Sequence, residues 1–411
     1  MSSTHRTITE IWRTESAKVV AVLTRIVRDV DLAEELAQDA LVAALEEWPR
    51  SGIPDRPAAW LMTTAKNRAL NTLHRQKMLA RKHADLGREL DALADVEDAL
   101  LARMDDVRDD VLRLLFIACH PVLSTEARVA LTLRLVGGLA TDEIARAFLV
   151  PEPTVAQRIV RAKRTIAEEK LAFEMPETEA LGERLRSVLE VVYLVFNEGY
   201  AATAGEDLVR ADLVSEALRL GRLLAELAPA EREVHGLVAL MELQASRLAT
   251  RVDASGEPVL LADQDRSRWD ALAIRRGLAA LSSAEAAGAG YYALQAEIAA
   301  CHARATTFVE TDWKRIASLY EALADIAPSP VIALNHAVAV SRADGPAAGL
   351  ALLDALANEP ALARYHLFPS ARADLLEQLG RRDEARGEFA RAAAMTDNGK
   401  QRARLMARAR G

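Results

Sequence analysis

The chain has 411 residues, with 52 Lys and Arg against 60 Asp and Glu and a formal net charge of -8 at pH 7. Hydrophobic residues make up 51% of it, which is enough to bury substantial cores and excludes a wholly disordered chain. It has only two cysteines, no secretory leader and no apolar run near 18 residues, so we expect a soluble cytoplasmic protein.

The first informative segment is an acidic amphipathic helix from Asp31 to Glu47. Its core positions are Leu32, Leu36, Ala40, Leu41 and Leu45. Its exposed part carries Glu34, Glu35, Asp39, Glu46 and Glu47. DNA binding alone explains such a face poorly, whereas docking on a basic protein partner explains it well.

A basic segment follows, because residues 56–84 contain no Asp or Glu. Helical spacing places Trp60, Leu61, Ala65, Leu70 and Leu73 inward, and Lys66, Asn67, Asn71, His74 and Arg75 elsewhere around the helix. Asn and cationic side chains at this spacing suit contact with phosphates and base edges. The alternative is an ordinary solvated helix. Residues 83–107 are rich in Asp and Glu and predict an acidic linker.

The segment from Gly138 to Ile166 has the pattern of a helix-turn-helix motif. Thr141 is the predicted N-cap of its first helix, and Pro153 suits the first position of the second. Val155, Ile159 and Ala162 form the inner stripe of that second helix. The side chains that point outward are Thr154, Gln157, Arg158, Arg161 and Arg164, which are of the types that read the major groove. A plain helical bundle with a solvated basic face remains the alternative.

The remainder of the chain, residues 180–411, reads as helical. Gly380, Ala385, Phe389 and Ala392 have the spacing of a tetratricopeptide repeat, which predicts an α-solenoid-like domain. We therefore predict an all-α protein, with two small helical domains, the second containing the helix-turn-helix, followed by this extension.

No catalytic site, metal site or cofactor is predicted. Glu257, Asp263, Asp265 and Asp270 are better explained as a polar loop beside Trp269 than as a carboxylate site. The pairs Cys119–His120 and Cys301–His302 lack the ligand spacing of zinc sites. We therefore expect a protein that is not an enzyme.

Three motifs in this order resemble the extracytoplasmic-function sigma factors of bacterial RNA polymerase. The first is carried by Asp31, Ala33, Glu34, Glu35, Leu36, Gln38, Asp39 and Leu41, where Glu35, Asp39 and Leu41 replace the family's Asp, Glu and aromatic residue. The second is carried by Trp60, Leu61, Asn67, Arg68, Asn71 and Arg75. The third is carried by Glu143, Ile144, Ala145, Thr154, Val155, Arg161 and Ala162. The resemblance covers about residues 9–172.

The resemblance implies a region 2 domain at residues 9–82 and a region 4 domain at residues 108–172. It implies that Glu34, Glu35, Gln38, Asp39 and Glu46 bind core RNA polymerase. It further implies that Trp60, Lys66, Asn67, Arg68, Asn71 and Arg75 bind the promoter −10 element, and that the loop at residues 49–56 receives a flipped base. The outward residues of the second helix, Thr154, Gln157, Arg158, Arg161 and Arg164, would bind the −35 element.

The long extension is similar to that of one group of these sigma factors, which lacks an obvious dedicated anti-sigma factor and has neighbours resembling small YCII-type proteins. The resemblance implies control by the extension itself, through YCII-like partner proteins or a small-molecule signal. Two alternatives remain: a helical-repeat scaffold that binds only protein, and a one-component DNA-binding regulator that acts without polymerase.

Overall fold

The computed structural model describes residues 3–83, 107–148, 150–201, 204–205, 209–253, 256–285 and 290–410. In these residues it contains eighteen α-helices and one pair of two-residue strands, which confirms the predicted all-α fold. The chain forms two compact units, Met1–Val191 and Val192–Gly411, and each is considered by itself. The predicted acidic linker lies outside the described residues, apart from its two ends.

The first unit begins with three mutually packed helices, α1 (Ser3–Val27), α2 (Val30–Ser51) and α3 (Pro57–His83). Asp29 caps α2, because its carboxylate accepts the amides of Asp31 and Leu32 at 2.8 and 3.1 Å. The helix ends at Gly52, whose φ of 88° favours glycine. Pro49 lies inside α2, so the loop predicted at residues 49–56 begins three residues too early.

Small residues form most of the inner face of α2. Its buried positions include Ala33, Leu36, Ala37, Ala40 and Ala44, whereas the predicted core residues Leu32, Leu41 and Leu45 are only half-buried. Alanine at these positions lets α1 and α3 approach closely. At the end of the helix, the fully buried Trp48 meets Trp60 edge to face, with ring centroids 5.3 Å apart.

The next four helices are α4 (Val107–Ala118), α5 (Thr125–Leu135), α6 (Thr141–Phe148) and α7 (Glu152–Glu168). The helix-turn-helix is α6 and α7, and the predicted stripe of Val155, Ile159 and Ala162 is buried. The predicted N-cap at Thr141 is wrong, because Thr141 is already helical. The carboxylate of Glu143 instead accepts the N–H of Ala140 at 2.8 Å, which satisfies a free amide at the start of α6.

The two groups of helices share a buried ion pair. Arg25 of α1 lies 3.1 Å from the fully buried carboxylate of Asp110 in α4, and Arg113 lies 2.7 Å from the same group. Gly138 lies between α5 and α6, with φ of 66° and its Cα against α1. A Cβ at Gly138 would come within 2.5 Å of the Ser16 hydroxyl, so the close approach requires glycine.

Helix α8 (Thr178–Tyr200) contains the division between the two units. Its first half packs on the helix-turn-helix domain. Arg184 donates to the carbonyl of Phe116 at 2.6 Å, and the Ser187 hydroxyl donates to the carbonyl of Cys119 at 2.5 Å. The residues of α8 up to Val191 therefore complete the first unit.

The second unit continues with ten helices in its described residues: α9 (Ala211–Leu227), α10 (Arg232–Ala245), α11 (Ala271–Glu285), α12 (Tyr291–Arg304), α13 (Trp313–Ile326), α14 (Pro330–Ala343), α15 (Pro346–Ala355), α16 (Leu367–Gln378), α17 (Arg382–Met395) and α18 (Gly399–Arg410). From α12 onward each helix packs on the next in the chain. Packing between sequence neighbours is the pattern of an α-solenoid, as predicted. The strands β1 (Ala204–Gly205) and β2 (Asp397–Asn398) pair in parallel.

The helix pair α16 and α17 has the predicted repeat spacing. Gly380 occupies the turn with φ of 77°, and Ala385, Phe389 and Ala392 are buried. Phe389 packs in one apolar cluster with Phe368 and Leu376 of α16. The aromatic side chain therefore fills the space between the paired helices.

Candidate nucleic-acid interface

Helix α3 presents a polar ridge. Thr63, Asn67, Asn71 and Arg75 follow one another at four-residue spacing, and all four are exposed. His74 and Met78 lie beside the end of this ridge, and Met78 is 57% exposed. The structure therefore brings together three of the predicted −10 residues, Asn67, Asn71 and Arg75.

The other three predicted −10 residues are less exposed than this ridge, because all three are half-buried. Trp60 packs against Trp48, and Arg68 lies 3.3 Å from the carboxylate of Asp39. Burial lowers the pKa of Lys66, and the neighbouring Arg25 lowers it further.

Helix α2 presents an acidic ridge. Glu35, Asp39, Val42 and Glu46 are exposed at spacings of four, three and four residues. Three of them are predicted polymerase-binding residues. Val42 is 50% exposed and was missed, because the sequence pattern offers no reason to place an apolar side chain on a charged face. The ridge thus combines carboxylates with one apolar contact.

Glu34 is the exception among the predicted polymerase-binding residues, because it is buried. Its carboxylate lies 2.5 Å from Nε of Arg134 on α5 and 2.5 Å from Nζ of Lys163 on α7. It also accepts from the half-buried Gln38, another predicted residue, at 2.6 Å. We call Glu34, Gln38, Arg134 and Lys163 the Glu34 cluster. A partner can reach Glu34 only after this cluster opens.

The Glu34 cluster joins the first three helices to the helix-turn-helix. Lys163 also lies 2.6 Å from Asp31. Burial lowers the pKa of Lys163, but the carboxylates of Glu34 and Asp31 outweigh burial, so the net pKa is raised and the ammonium stays charged. Arg134 and Lys163 were missed at the sequence level, because no local pattern distinguishes them from solvated cations.

The outer face of α7 carries the predicted −35 residues. Gln157, Arg161 and Arg164 are exposed, while Thr154 and Arg158 are half-buried. Arg164 is held by Glu168, with Nε and Oε1 2.7 Å apart. Val160 is 63% exposed on this face and was missed; apolar side chains of this kind can contact the methyl group of thymine. Gln157 and Arg161 are also exposed, and no carboxylate of the described residues forms an ion pair with Arg161.

The described residues contain no cluster of metal-ligand side chains and no exposed thiol. No group of three or more His, Cys, Asp and Glu side chains that could hold a metal occurs there. Both cysteines are buried and free. Burial raises the pKa of Cys119 to about 12 and that of Cys301 to about 11, so both remain protonated at neutral pH. No described helix is long and apolar enough to cross a membrane.

Comparison with known proteins places family models on both N-terminal domains and on the start of the extension. Residues 11–78 match sigma-70 region 2, and residues 113–166 match sigma-70 region 4. Residues 184–285 match a family of unknown function (DUF6596). An uncharacterized protein of Rhizobium meliloti (strain 1021) is 46% identical over 385 residues, which cover 93% of this chain and 90% of that protein. No solved structure matches the chain significantly.

Proposed function

The chain belongs to the extracytoplasmic-function type of sigma-70 factors, which direct RNA polymerase to promoters, and on this premise we propose how its faces divide that task. The acidic ridge of α2 binds core polymerase, the polar ridge of α3 binds the −10 element, and the outer face of α7 binds the −35 element. The extension regulates these steps. The protein acts in the cytoplasm beside the polymerase and carries out no covalent chemistry.

The observation that carries the proposal is the separation of charge on the first three helices. Glu35, Asp39 and Glu46 are exposed on α2, and Asn67, Asn71 and Arg75 are exposed on α3. Polyanionic DNA is repelled by the first ridge and attracted by the second. Two ridges of opposite character on adjacent helices therefore suit two partners bound at once, a protein and a nucleic acid.

The assignment of α7 to DNA rests on its exposed side chains. Arginine pairs with guanine through two hydrogen bonds and glutamine with adenine, and Arg161 and Gln157 are exposed on one face. Lys163 belongs to the Glu34 cluster instead, so it is not among the readers in this conformation. Helix α7 begins at Glu152, one residue before the predicted start at Pro153, which lies in its first turn where the missing N–H costs no hydrogen bond.

Run-off transcription with purified core polymerase tests the division. Glu35→Lys with Asp39→Lys should impair core binding, whereas Asn71→Ala with Arg75→Ala should leave core binding intact and abolish promoter opening. A matched control is Glu169→Lys, which reverses an exposed charge just beyond α7. If both double variants bind core and transcribe as the control does, the division is refuted. A scaffold or a one-component regulator would give no defined start site even with the unmodified chain.

We also propose that the extension regulates the activity of the two sigma domains. The second unit has its own packed core, and YCII-like proteins or a small molecule would act on it. A chain ending at Val191 keeps the half of α8 that packs on the helix-turn-helix domain. Transcription by that chain equal to the full-length protein, with and without cell extract, would refute regulation by the extension.

A further inference from the structure

The second unit contains a cavity of about 290 Å³ whose charged wall is mainly arginine. Arg247 and Arg251 come from the turn that follows α10, and Arg404 and Arg408 come from successive turns of α18. Among the described residues of the lining, Asp374 of α16 is the one carboxylate. We call this space the arginine cavity; its wall is strongly cationic although the whole chain has a net charge of -8.

The arginines in and near the cavity differ in whether carboxylates or other acceptors pair with their guanidinium groups. Arg408 pairs with the carboxylates of Asp374 and Glu377, so its charge is compensated. The two Nη atoms of nearby Arg266 also have acceptors, because they donate to the carbonyls of His302 and Ala305 and to the hydroxyl of Thr311, although its buried Nε makes no hydrogen bond. Both arrangements are those of arginines with a structural role.

Arg247 and Arg251 have no such partners among the described residues. Their Nε atoms are buried and make no hydrogen bond there. Arg251 stacks on Tyr200 with its guanidinium carbon 3.8 Å from the ring centroid, and Arg247 lies 5.6 Å from that of Trp269. Stacking orients a guanidinium but supplies no counter-charge. Two cations thus line the cavity without a carboxylate partner of their own among the described residues, which is costly unless an anion binds.

The electrostatics agree with this geometry. Burial lowers the pKa of Arg247, and Arg251 acts in the same direction, while Tyr200 opposes them. Burial also lowers the pKa of Arg404 and Arg408 lowers it further, while Asp374 and Asp263 oppose them. Arg247 and Arg404 are therefore less stable as cations than free arginine, in agreement with their few counter-charges.

Hydrogen bonds connect the described residues beside the cavity, residues 251–253 and 256–264, to one another and to α18. Lys400 of α18 donates to the carbonyl of Gly256 at 2.7 Å, and the amide of Val259 donates to the carbonyl of Arg251 at 2.8 Å. Gln264 donates to the carbonyl of Val259 at 3.2 Å. Groups that such bonds already hold lose less entropy when a ligand binds.

The rest of the wall is mixed: it includes the apolar side chains of Leu261, Leu367, Phe389 and Leu405 and the polar side chains of Gln264, His366, Ser370 and Gln401. We propose that the arginine cavity binds a small phosphorylated organic molecule, with its phosphate dianion between Arg247 and Arg251 and its apolar part against Phe389 and its neighbours. Two uncompensated guanidinium groups match the charge of a phosphate dianion, and their planar donors match its oxygens. The volume suits a ligand at the small end of the range for organic molecules.

Calorimetric titration of the full-length chain with phenyl phosphate tests the proposal, with inorganic phosphate and benzoate in parallel. Phenyl phosphate should bind at least about tenfold more tightly than benzoate, which has a single charge, and more tightly than inorganic phosphate, which lacks the apolar part. Arg247→Met and Arg251→Met should each weaken it by about tenfold or more, the loss of a charge-assisted hydrogen bond. Arg410→Met, which removes an exposed cation from the same helix as Arg404, should leave binding unchanged.

Thermal unfolding of the same variants without ligand tests whether they are still folded. Arg247→Met and Arg251→Met should unfold at the temperature of the unmodified chain or above it, because each relieves repulsion between cations. The proposal is overturned if phenyl phosphate does not bind, if benzoate binds equally well, or if folded Arg251→Met binds phenyl phosphate as Arg410→Met does. No polymerase takes part in this assay, so its result is independent of the proposed function.

Discussion

Replacement of Glu34 by Gln should open the contact between α2 and the helix-turn-helix. The carboxylate is 7% exposed and faces two cations at 2.5 Å, so the substitution leaves Arg134 and Lys163 without their shared counter-charge. Removing one partner from a buried ion pair costs about 3–5 kcal/mol. Lys163 keeps the exposed Asp31, so we expect the lower end, about 3 kcal/mol, or roughly a 100-fold shift toward separated domains.

Spin labels at Val42→Cys and Val160→Cys can measure this opening. Both positions are exposed, at 50% and 63%, and lie on the two sides of the contact. The native thiols are buried, and burial raises their pKa, so the introduced cysteines react selectively. In double electron–electron resonance, Glu34→Gln should add a population at longer distances that the unmodified background lacks.

Glu35→Gln is the matched control, because it changes the neighbouring carboxylate on the exposed ridge. Lys163→Met should give an intermediate effect, because Glu34 then keeps Arg134. Superimposable distance distributions for Glu34→Gln and Glu35→Gln would refute the argument that the buried cluster holds the contact.

Three further outcomes are expected. In gel-shift assays with single-base variants, Arg161→Ala should lower the free energy of DNA binding by about 1–3 kcal/mol at one base pair of the −35 element. Arg164→Ala should lower it less, because Glu168 already holds that side chain. The reverse ranking would contradict the assignment. A chain ending at Phe173 should unfold at a lower temperature than one ending at Val191. It lacks Arg184 and Ser187, so the carbonyls of Phe116 and Cys119 lose their donors. Equal melting temperatures would count against this packing. Burial, with Arg247 and Arg266, lowers the pKa of His302 from 6.5 to about 3. The contribution of neutral His302 to stability is therefore complete above pH 6.5 and is lost as the pH falls toward 3. In urea unfolding the free energy of unfolding should fall by about 2 kcal/mol between pH 7 and pH 5, and the fall should be smaller for His302→Gln.

Periodic patterns predicted the helices and most of their exposed faces. The stripe of Val155, Ile159 and Ala162 identified the inner side of α7, and its outer face then followed from helical geometry. Asn67, Asn71 and Arg75 were placed on one helix for the same reason. Such features depend only on neighbours within two or three turns, which a single sequence displays directly.

Contacts between distant segments could not be predicted in this way. Glu34 fits the charged face of α2 by its spacing, yet its partner Arg134 is 100 residues away in the chain. The arginine cavity could not be predicted for the same reason, because Arg251 and Arg404 come from segments that lie far apart in the chain. Periodicity gives the face of a helix but not the element that covers it, and burial of a charge is decided by that element.

The Glu34 cluster also connects the two kinds of partner thermodynamically. Any protein that binds Glu34 removes the counter-charge shared by Lys163 and Arg134, and any phosphate that binds Lys163 removes one of the two cations that face Glu34. Because both events break the ion pair between Glu34 and Lys163, each partner would remove part of the cost of binding the other, and the benefit would be equal in both directions. The salt dependence of DNA binding should then steepen when the protein partner is bound, since a released cation adds about one unit to its slope. A single buried carboxylate would make polymerase and promoter cooperative ligands of one small unit.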